Sequence, residues 1–532
     1  MNFNTFFYEP LTPVSFLDRS ADVYSDKLAV VDGNLKYTYA EFRERSLRLA
    51  NLLRHNGIES GDRVAVLEPN NHVLLESHYG VPLAGAALVA LNTRLSASEL
   101  TRIVEHSGSR VLLYDVAFSD VAMKIANGVT FDLVLISSNQ EYEERLRDGP
   151  GTRLPVTDEL SLLALNYTSG TTGVPKGVMY HHRGAYLQSL AMISHFELTN
   201  NSAYLWTLPM FHCNGWCFTW AVTAAGALHV CLPEFNVGDA WSQMRQYSIT
   251  HLCAAPTALT MLVESVKHGF DIDVSVKVAV GGAPPTPSLI SKCEELGLSV
   301  THLYGLTETY GPVAICDWKS EWNRLSDTDR SAMRSRQGVG NIVSQTLRVV
   351  DIEGRDVTRD GEAIGEIVIR GNNLMKGYFQ DPVATNAAVI DGWFHTGDLA
   401  VMYPDSYIQI RDRKKDIIIS GGENVSSVEV EAILCAHDGV LEAAVVAVPN
   451  ERWGERPVAF VTLRNAARVS EDDLKTHVQN HLARFKVPDR IYFCELPKTG
   501  TGKIQKFLLR DLARARSDLP VVPSRSEPPE VG

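Results

Sequence analysis

The chain has 532 residues, 45% hydrophobic and 21% charged, enough apolar material for several buried cores, so it divides into domains of roughly 100–200 residues each. A net charge of −13 excludes bulk electrostatic attachment to a nucleic acid, although a local nest of N–H groups with one or two cations still holds a phosphate. Eight cysteines with no CxxC pair, and no histidines at zinc spacing, exclude a disulfide scaffold and a zinc fold; they read as free thiols in a reducing, cytoplasmic compartment.

The opening MNFNTFFYEPLTPVSFLDRS has no basic stretch leading into an apolar run, and no segment reaches the ~18 unbroken apolar residues of a membrane span. Residues 38–58, TYAEFRERSLRLANLLRHNGI, carry leucines at helical spacing and end in a glycine stop, which predicts a helix. DRVAVLEPN (62–70) predicts a buried strand followed by a turn. GVPLAGAALVALN, RVLLYD, LVLIS, ALHVCLPEF, HLCAAP and VKVAVGGAPP continue an alternation of helices and short apolar strands, the pattern of a layered α/β architecture. After a turn at Asp391–Trp393 the chain changes character. DSYIQIRDRKKDIIISGG (405–422) predicts two short strands joined by a charged link. A smaller α+β unit follows, with helices in VSSVEVEAILCAHDGV and SEDDLKTHVQNHLARF and strands in LEAAVVAVPN and RPVAFVTLR. The expected division is a large domain over 1–413, a small domain over 414–516 and a Pro/Ser-rich, disordered tail over 517–532.

A hydrophobic strand, LSLLALNY (160–167), runs into NYTSGTTGVPKG (166–177). Hydroxyls and glycines alternate over Thr168, Ser169, Gly170, Thr171, Thr172 and Gly173. Glycines let the backbone curl so that several N–H groups face one anion; the hydroxyls add donors and Lys176 adds a charge. This is the composition of a polyphosphate cradle, though not of a Walker A loop. On composition alone, a flexible polar loop between two elements is the alternative.

TSGTTGVPKG resembles the signature loop of the adenylate-forming superfamily: acyl-CoA synthetases, peptide-synthetase adenylation domains and firefly luciferases. YGLTETYGP (304–312) resembles its second signature, and GWFHTGD (392–398) its ribose-binding segment. RDRKKDIIISGGENVSSVEVE (411–431) resembles its hinge and the loop after it, and PKTGTGKIQK (497–506) the segment with its catalytic lysine. These matches are ordered and cover all but the tail. The resemblance implies a large N-terminal layered α/β domain with a small mobile C-terminal α+β domain. It also implies an ATP-dependent, AMP-forming carboxylate–CoA ligase working through acyl-AMP with ATP, Mg²⁺ and coenzyme A.

By the same resemblance, the loop Thr168–Gly173 with Lys176 holds the phosphates, and Thr307 contacts the α-phosphate. Glu308 helps hold Mg²⁺, with Thr172 as a second oxygen. Tyr304 stacks on adenine beside Gly305, with Gly282, Ala283 and Pro284 lining that pocket. Asp398 accepts both ribose hydroxyls, and Arg413 contacts the nucleotide. Lys503 bridges the acid's carboxylate and the α-phosphate as charge builds between them. The small domain then turns about Lys415, and the loop Ser420, Gly421 and Gly422 helps form a CoA tunnel. His212, in LPMFHCNGW (208–216), matches a position near the acyl carbonyl. Taken singly, Thr307 and Glu308 also read as a helix cap, Asp398 as a turn residue, His212 as a core histidine and Lys503 as a surface lysine.

Phe211, His212, Cys213, Asn214 and Gly215 include no acid where amino-acid-activating relatives bind the α-ammonium, so amino acids are not expected as substrates. Trp206, Trp216, Val280 and Tyr310 suggest an apolar acyl pocket, with core packing as the alternative. The sequence is most similar to the medium-chain, methylthiopropionate-type and plant-like acyl-activating branch, which implies an uncharged-tail fatty, aryl or terpenoid acid. Ser406 stands where relatives usually have Gly, and Gly500 where they often have Pro, Ser or Ala. The extra glycine loosens the loop delivering Lys503, which raises the expectation that thioester formation outruns adenylation. Loading of a carrier-protein phosphopantetheine arm is a further alternative. Expected partners are the acid, ATP and CoA, without nucleic acid; a homodimer is compatible with the sequence, which does not specify it.

Overall fold

The computed structural model describes residues 9–147, 151, 153–168, 175–266, 275–344, 347–414, 416–420, 423–450, 452–464, 467–498 and 504–517. They fall into two compact units, one of residues up to 396 with 401–410, the other of 397–400 with residues from 411 onward.

After a helix over Ser15–Val23, the first unit runs through β1 (Leu28–Asp32) and β2 (Leu35–Thr38) into the leucine-spaced helix Tyr39–His55. Thr38 and Glu41 form a reciprocal capping box at its start, it buries Phe42, Leu49 and Leu53, and the chain turns away at Gly57 with φ +85°. Next come β3 (Arg63–Leu67), β4 (Ala87–Ala90), β5 (Val111–Tyr114), β6 (Val134–Ser137), β7 (Leu162–Thr168) and β8 (Lys176–His181). They form a six-stranded sheet in the order β6-β5-β3-β4-β7-β8, parallel except for β7 with β8. β3, β4 and β5 are buried along almost their whole length, as parallel strands covered on both faces are.

A second sheet takes in β9 (Ala203–Leu205), β10 (Leu228–Val230), β11 (His251–Ala254), β12 (Val276–Val280), β13 (Leu298–Leu306), β14 (Gly311–Ile315) and β15 (Val339–Gly340). Its order is β15-β14-β13-β12-β11-β9-β10-β1-β2, with β1 and β9 to β13 all parallel. A third sheet holds β16 (Arg348–Val350), β17 (Gly365–Ile369), β18 (Val389–Ile390), β19 (Trp393–Met402) and β20 (Ile408–Arg413).

The second unit is built on β21 (Ile418–Ser420), β22 (Glu423–Val425), β23 (Val440–Asn450), β24 (Gly454–Leu463) and β25 (Arg490–Phe493), in the order β22-β21-β24-β23 with β25 beside β24. Helices Ser427–Ala436 and Glu471–Gln479 seal one core with Val430, Leu434, Leu474 and Val478, and Leu509 and Ala513 of the helix Lys506–Ser517 seal another. The layered α/β unit followed by a smaller α+β unit is the fold class the sequence leads one to expect.

Candidate active site

β7 and β8 run antiparallel with Thr168 opposite Lys176, so the strand register fixes both ends of the hydroxyl-rich loop. Ser169, Gly170, Thr171, Thr172 and Gly173 themselves lie outside the described residues. On its other edge β8 meets the segment 376–379: Met179 N–H donates to Gly377 at 3.0 Å, and Phe379 N–H donates to Gly177 at 2.7 Å. This puts the Lys176 ammonium 4.7 Å from the centre of the Tyr378 ring, while the Tyr378 hydroxyl donates to Glu308 Oε1 at 2.8 Å. The Met375 N–H donates to the Glu308 carbonyl at 2.8 Å. Lys176 and Glu308, far apart in sequence, are therefore joined through one tyrosine. Burial, reinforced by the Glu308 carboxylate, pushes the Tyr378 hydroxyl well above its ordinary range, so it remains a donor.

Thr307 and Glu308 sit in a short 3₁₀ turn at the end of β13. Gly305 must be glycine: a Cβ there would lie 1.8 Å from the Gly311 carbonyl oxygen across the β13–β14 ladder. The Tyr180 hydroxyl donates to the Thr307 carbonyl at 2.6 Å, and the Cys213 thiol reaches Thr307 Oγ1 at 3.5 Å. Burial pushes the Cys213 thiol up to about 12, so it acts as a neutral donor and not as a nucleophile.

The segment after His212 has an unusual backbone. Cys213, Asn214, Gly215, Trp216 and Cys217 have φ of 49°, 45°, 59°, 54° and 63°, a complete left-handed turn closed by Gly215 N–H to the His212 carbonyl at 2.8 Å. Left-handed helical conformation costs about 1–2 kcal/mol for most non-glycine residues, asparagine being the common exception, so Cys213, Trp216 and Cys217 hold it only because their surroundings impose it. Asn166, two residues before Thr168, is one such constraint. Its Oδ1 accepts the Asn214 backbone N–H at 3.3 Å, and its Nδ2 donates to Asn214 Oδ1 at 2.6 Å.

The aromatic residues read as acyl-pocket candidates are all buried. Trp206 is fully buried, and its indole N–H donates to His229 Nδ1 at 3.2 Å; burial pulls that imidazole down to about 3, leaving it neutral. The Tyr310 ring stacks on Tyr180 at 3.9 Å and its hydroxyl accepts the His181 N–H at 2.6 Å, so it wedges β8 against the 3₁₀ turn. Trp216 packs within about 3 Å of where side chains on Gly281 and Gly311 would begin, and Val280 ends β12 just before it. Tyr304 is buried, His212 is half-buried, and Gly282, Ala283 and Pro284 are exposed, with Gly282 at φ +84°.

In the second unit Arg413 Nε lies 3.0 Å from Asp398 Oδ1, bringing two of the expected nucleotide contacts together. Ser420 is buried, and its hydroxyl accepts from Arg456 Nη1 at 3.1 Å. Lys415, Gly421, Gly422 and Lys503 lie outside the described residues. Flanking the last of these, Lys498 and Ile504 form an antiparallel bridge, and Gln505 N–H donates to Pro497 at 2.8 Å. Lys506 Nζ pairs with Glu431 Oε1 at 2.7 Å and donates to Ser427 Oγ at 2.6 Å.

Among the described residues no three His, Cys, Asp or Glu side chains form a metal cage. Glu308, a single carboxylate oriented by Tyr378, fits Mg²⁺, which keeps its waters and takes most of its oxygens from phosphates. Sequence reasoning missed Tyr378, Tyr180 and Asn166. Each is identified by a hydrogen bond to a residue at least 48 positions away, for which a single sequence carries no signal.

A sequence profile described as AMP-binding enzyme matches residues 17–379, and one described as AMP-binding enzyme C-terminal domain matches residues 429–503. The 2-methylpropanoate–CoA ligase of Humulus lupulus is 41% identical, covering 97% of this chain and 98% of its own. The peroxisomal trans-cinnamate:CoA ligase of Petunia hybrida is 40% identical, covering 96% and 95%. Among solved structures, the o-succinylbenzoate CoA synthetase of Bacillus subtilis, in complex with its acyl-adenylate intermediate, superposes with a TM-score of 0.82 at 27% identity over 95% of this chain and 99% of that one. With both units matched in order and relatives aligned end to end, the chain belongs to the AMP-binding enzyme family.

Proposed function

We propose that this protein, an ATP-dependent, AMP-forming carboxylate–CoA ligase that uses ATP, Mg²⁺ and coenzyme A, acts on a medium-sized carboxylic acid with an uncharged, apolar tail. The observation that carries this reading is the segment from Trp206 to Trp220. It contains no Asp, Glu, Lys or Arg, and Trp206, Met210, Cys213, Trp216 and Phe218 within it are buried. A charged tail or an α-ammonium would find no counter-charge there. Relatives named for 2-methylpropanoate and trans-cinnamate agree with an uncharged acid.

The acid's carboxylate attacks the α-phosphorus of ATP, and pyrophosphate leaves. The CoA thiol then attacks the acyl carbonyl, and AMP leaves with the bonding pair. Both steps concentrate negative charge, which cations and fixed N–H dipoles must offset. In the proposed assignment, the loop from Thr168 to Gly173 and Lys176 hold the outer phosphates, and Thr307 contacts the α-phosphate. Glu308, oriented by Tyr378, and Thr172 would hold Mg²⁺, which when bound neutralises phosphate charge. Tyr304, Gly305, Gly282, Ala283 and Pro284 take the adenine, Asp398 accepts the ribose hydroxyls, and Arg413 contacts the nucleotide. Lys503 joins carboxylate to α-phosphate. The unit from 414 then turns at Lys415 and brings Ser420, Gly421 and Gly422 to CoA. His212 faces the acyl carbonyl, with Trp206, Trp216, Val280 and Tyr310 around the tail. Free CoA as acceptor and the cytoplasm as compartment complete the proposal; eight free cysteines support a reducing location. Gly500 supports a narrower second reading, in which thioester formation from acyl-AMP outruns adenylation.

Mass spectrometry of CoA thioesters across a panel of butyrate, 2-methylpropanoate, hexanoate, cinnamate, phenylalanine and succinate tests the proposal. Apolar monocarboxylates are expected to dominate, and preference for phenylalanine or succinate would defeat it. Supplying synthetic acyl-AMP with CoA separates the two half-reactions.

A further inference from the structure

We propose that Asn166 and Asn214 form a positioning clamp that aims His212, so that the strand entering the phosphate loop sets the geometry of the acyl side of the site. This rests on the acyl-adenylate reading above and assigns that site two further residues. The two hydrogen bonds fix both amide orientations. A backbone N–H can only donate, so the Asn166 atom facing Asn214 N–H is Oδ1; the other Asn166 terminus is then Nδ2, and the Asn214 atom it meets is Oδ1. Asn214 Nδ2 is left over. It is fully buried and has no hydrogen-bond partner among the described residues.

A buried amide with an orphaned donor, on a residue at φ 45° between two others at positive φ, is a costly arrangement to hold. The turn it belongs to touches the rest of the site on several sides. Cys213 meets Thr307, Cys217 Sγ lies 3.6 Å from the Tyr310 carbonyl, and Trp216 packs against Gly281 and Gly311. The His212 carbonyl accepts the Gly215 N–H that closes the turn, and the His212 N–H donates to Pro209 at 3.1 Å, so the backbone at His212 is held on both sides. Asn166 fastens this turn to β7 at the point where the phosphate loop begins.

Asn214→Gly is the decisive variant. Glycine adopts positive φ freely, so the substitution removes the side-chain clamp while relieving the backbone. If the clamp aims His212, this variant keeps its thermal midpoint but loses about tenfold in kcat for acyl-AMP formation, with KM for ATP within about twofold. The double variant His212→Ala/Asn214→Gly is then no slower than His212→Ala alone. Asn166→Leu reads the same pair from the other strand, with the same expected pattern if Asn214→Gly does not fold. Wild-type rates in Asn214→Gly, full activity in His212→Ala, or losses that multiply in the double variant overturn the clamp. A wild-type enzyme that exchanges pyrophosphate with no acid on the panel defeats the acyl-adenylate reading itself, and the clamp with it.

Discussion

Three single residues carry consequences that can be measured. The first is Tyr378, which ties Lys176 to Glu308. Tyr378→Phe keeps the ring under the ammonium and deletes only the hydroxyl on Glu308 Oε1. It should raise the Mg²⁺ concentration needed for half-maximal activity and lower kcat about tenfold, read by magnesium titration of acyl-AMP formation. The second is Glu68, buried just beyond β3. Burial, the largest effect, pushes its carboxyl up to about 8 despite the hydrogen bond from Asn71, and Asp115 adds to the rise. A folded-state value above the unfolded one of about 4.3 means that Glu68 favours folding most below that pH and loses this contribution as pH rises through about 8. His72 titrates in the same sense. Burial lowers it, but Asp32, Glu143 and Glu76 outweigh burial and bring it up to about 9, so its contribution is full below about 6.5 and lost through 9. Glu68→Gln should therefore flatten the fall in thermal midpoint between pH 5 and 8, gaining roughly 2–4 °C at pH 8 in a fluorimetric melt. An unchanged slope would show that other groups dominate. The third is Ser406, at φ +68°, a backbone conformation that glycine adopts without strain. Ser406→Gly should stabilise by about 0.5 kcal/mol in urea denaturation, net of the hydrogen bond from Arg359.

At the scale of elements, the helix Lys506–Ser517 is anchored at its first residue. Lys506 opens its helix paired with Glu431 of the helix Ser427–Ala436, and both side chains are largely buried. Glu431→Ala would leave an unpaired, poorly solvated ammonium, a change of about 3–5 kcal/mol against the second unit. Hydrogen exchange should then accelerate through Lys506–Ser517 and leave β3 to β5 untouched. The elements also show how far sequence reasoning reaches. The helix Tyr39–His55 was legible because leucine spacing and Gly57 are local signals that agree, and the structure adds the Thr38–Glu41 box. β3 was legible as an apolar run because parallel strands are buried on both faces. The order β6-β5-β3-β4-β7-β8 was not legible, since it depends on which helix crosses which edge. The hydroxyl-rich loop drew attention through its resemblance to a known family, and its residues 169–173 lie outside the described ones. Tyr378 was not, because its meaning comes from Glu308, 70 residues away. Nor did periodicity announce the left-handed turn, which follows from tertiary contacts alone.

At the scale of the whole molecule, two units with separate apolar cores are expected to lose structure separately. Scanning calorimetry should give a calorimetric enthalpy larger than the van't Hoff enthalpy, and a single transition with matching enthalpies would contradict this. The left-handed turn adds a further consequence. Nothing in a nascent peptide favours five successive residues of that hand, so this stretch acquires its shape only after the strands around it have assembled. If the packing around it loosens on warming, the turn should be lost before the strands that impose it. Catalysis should fail several degrees before helices and sheets melt, and circular dichroism would still report an intact fold in an enzyme that has already stopped working.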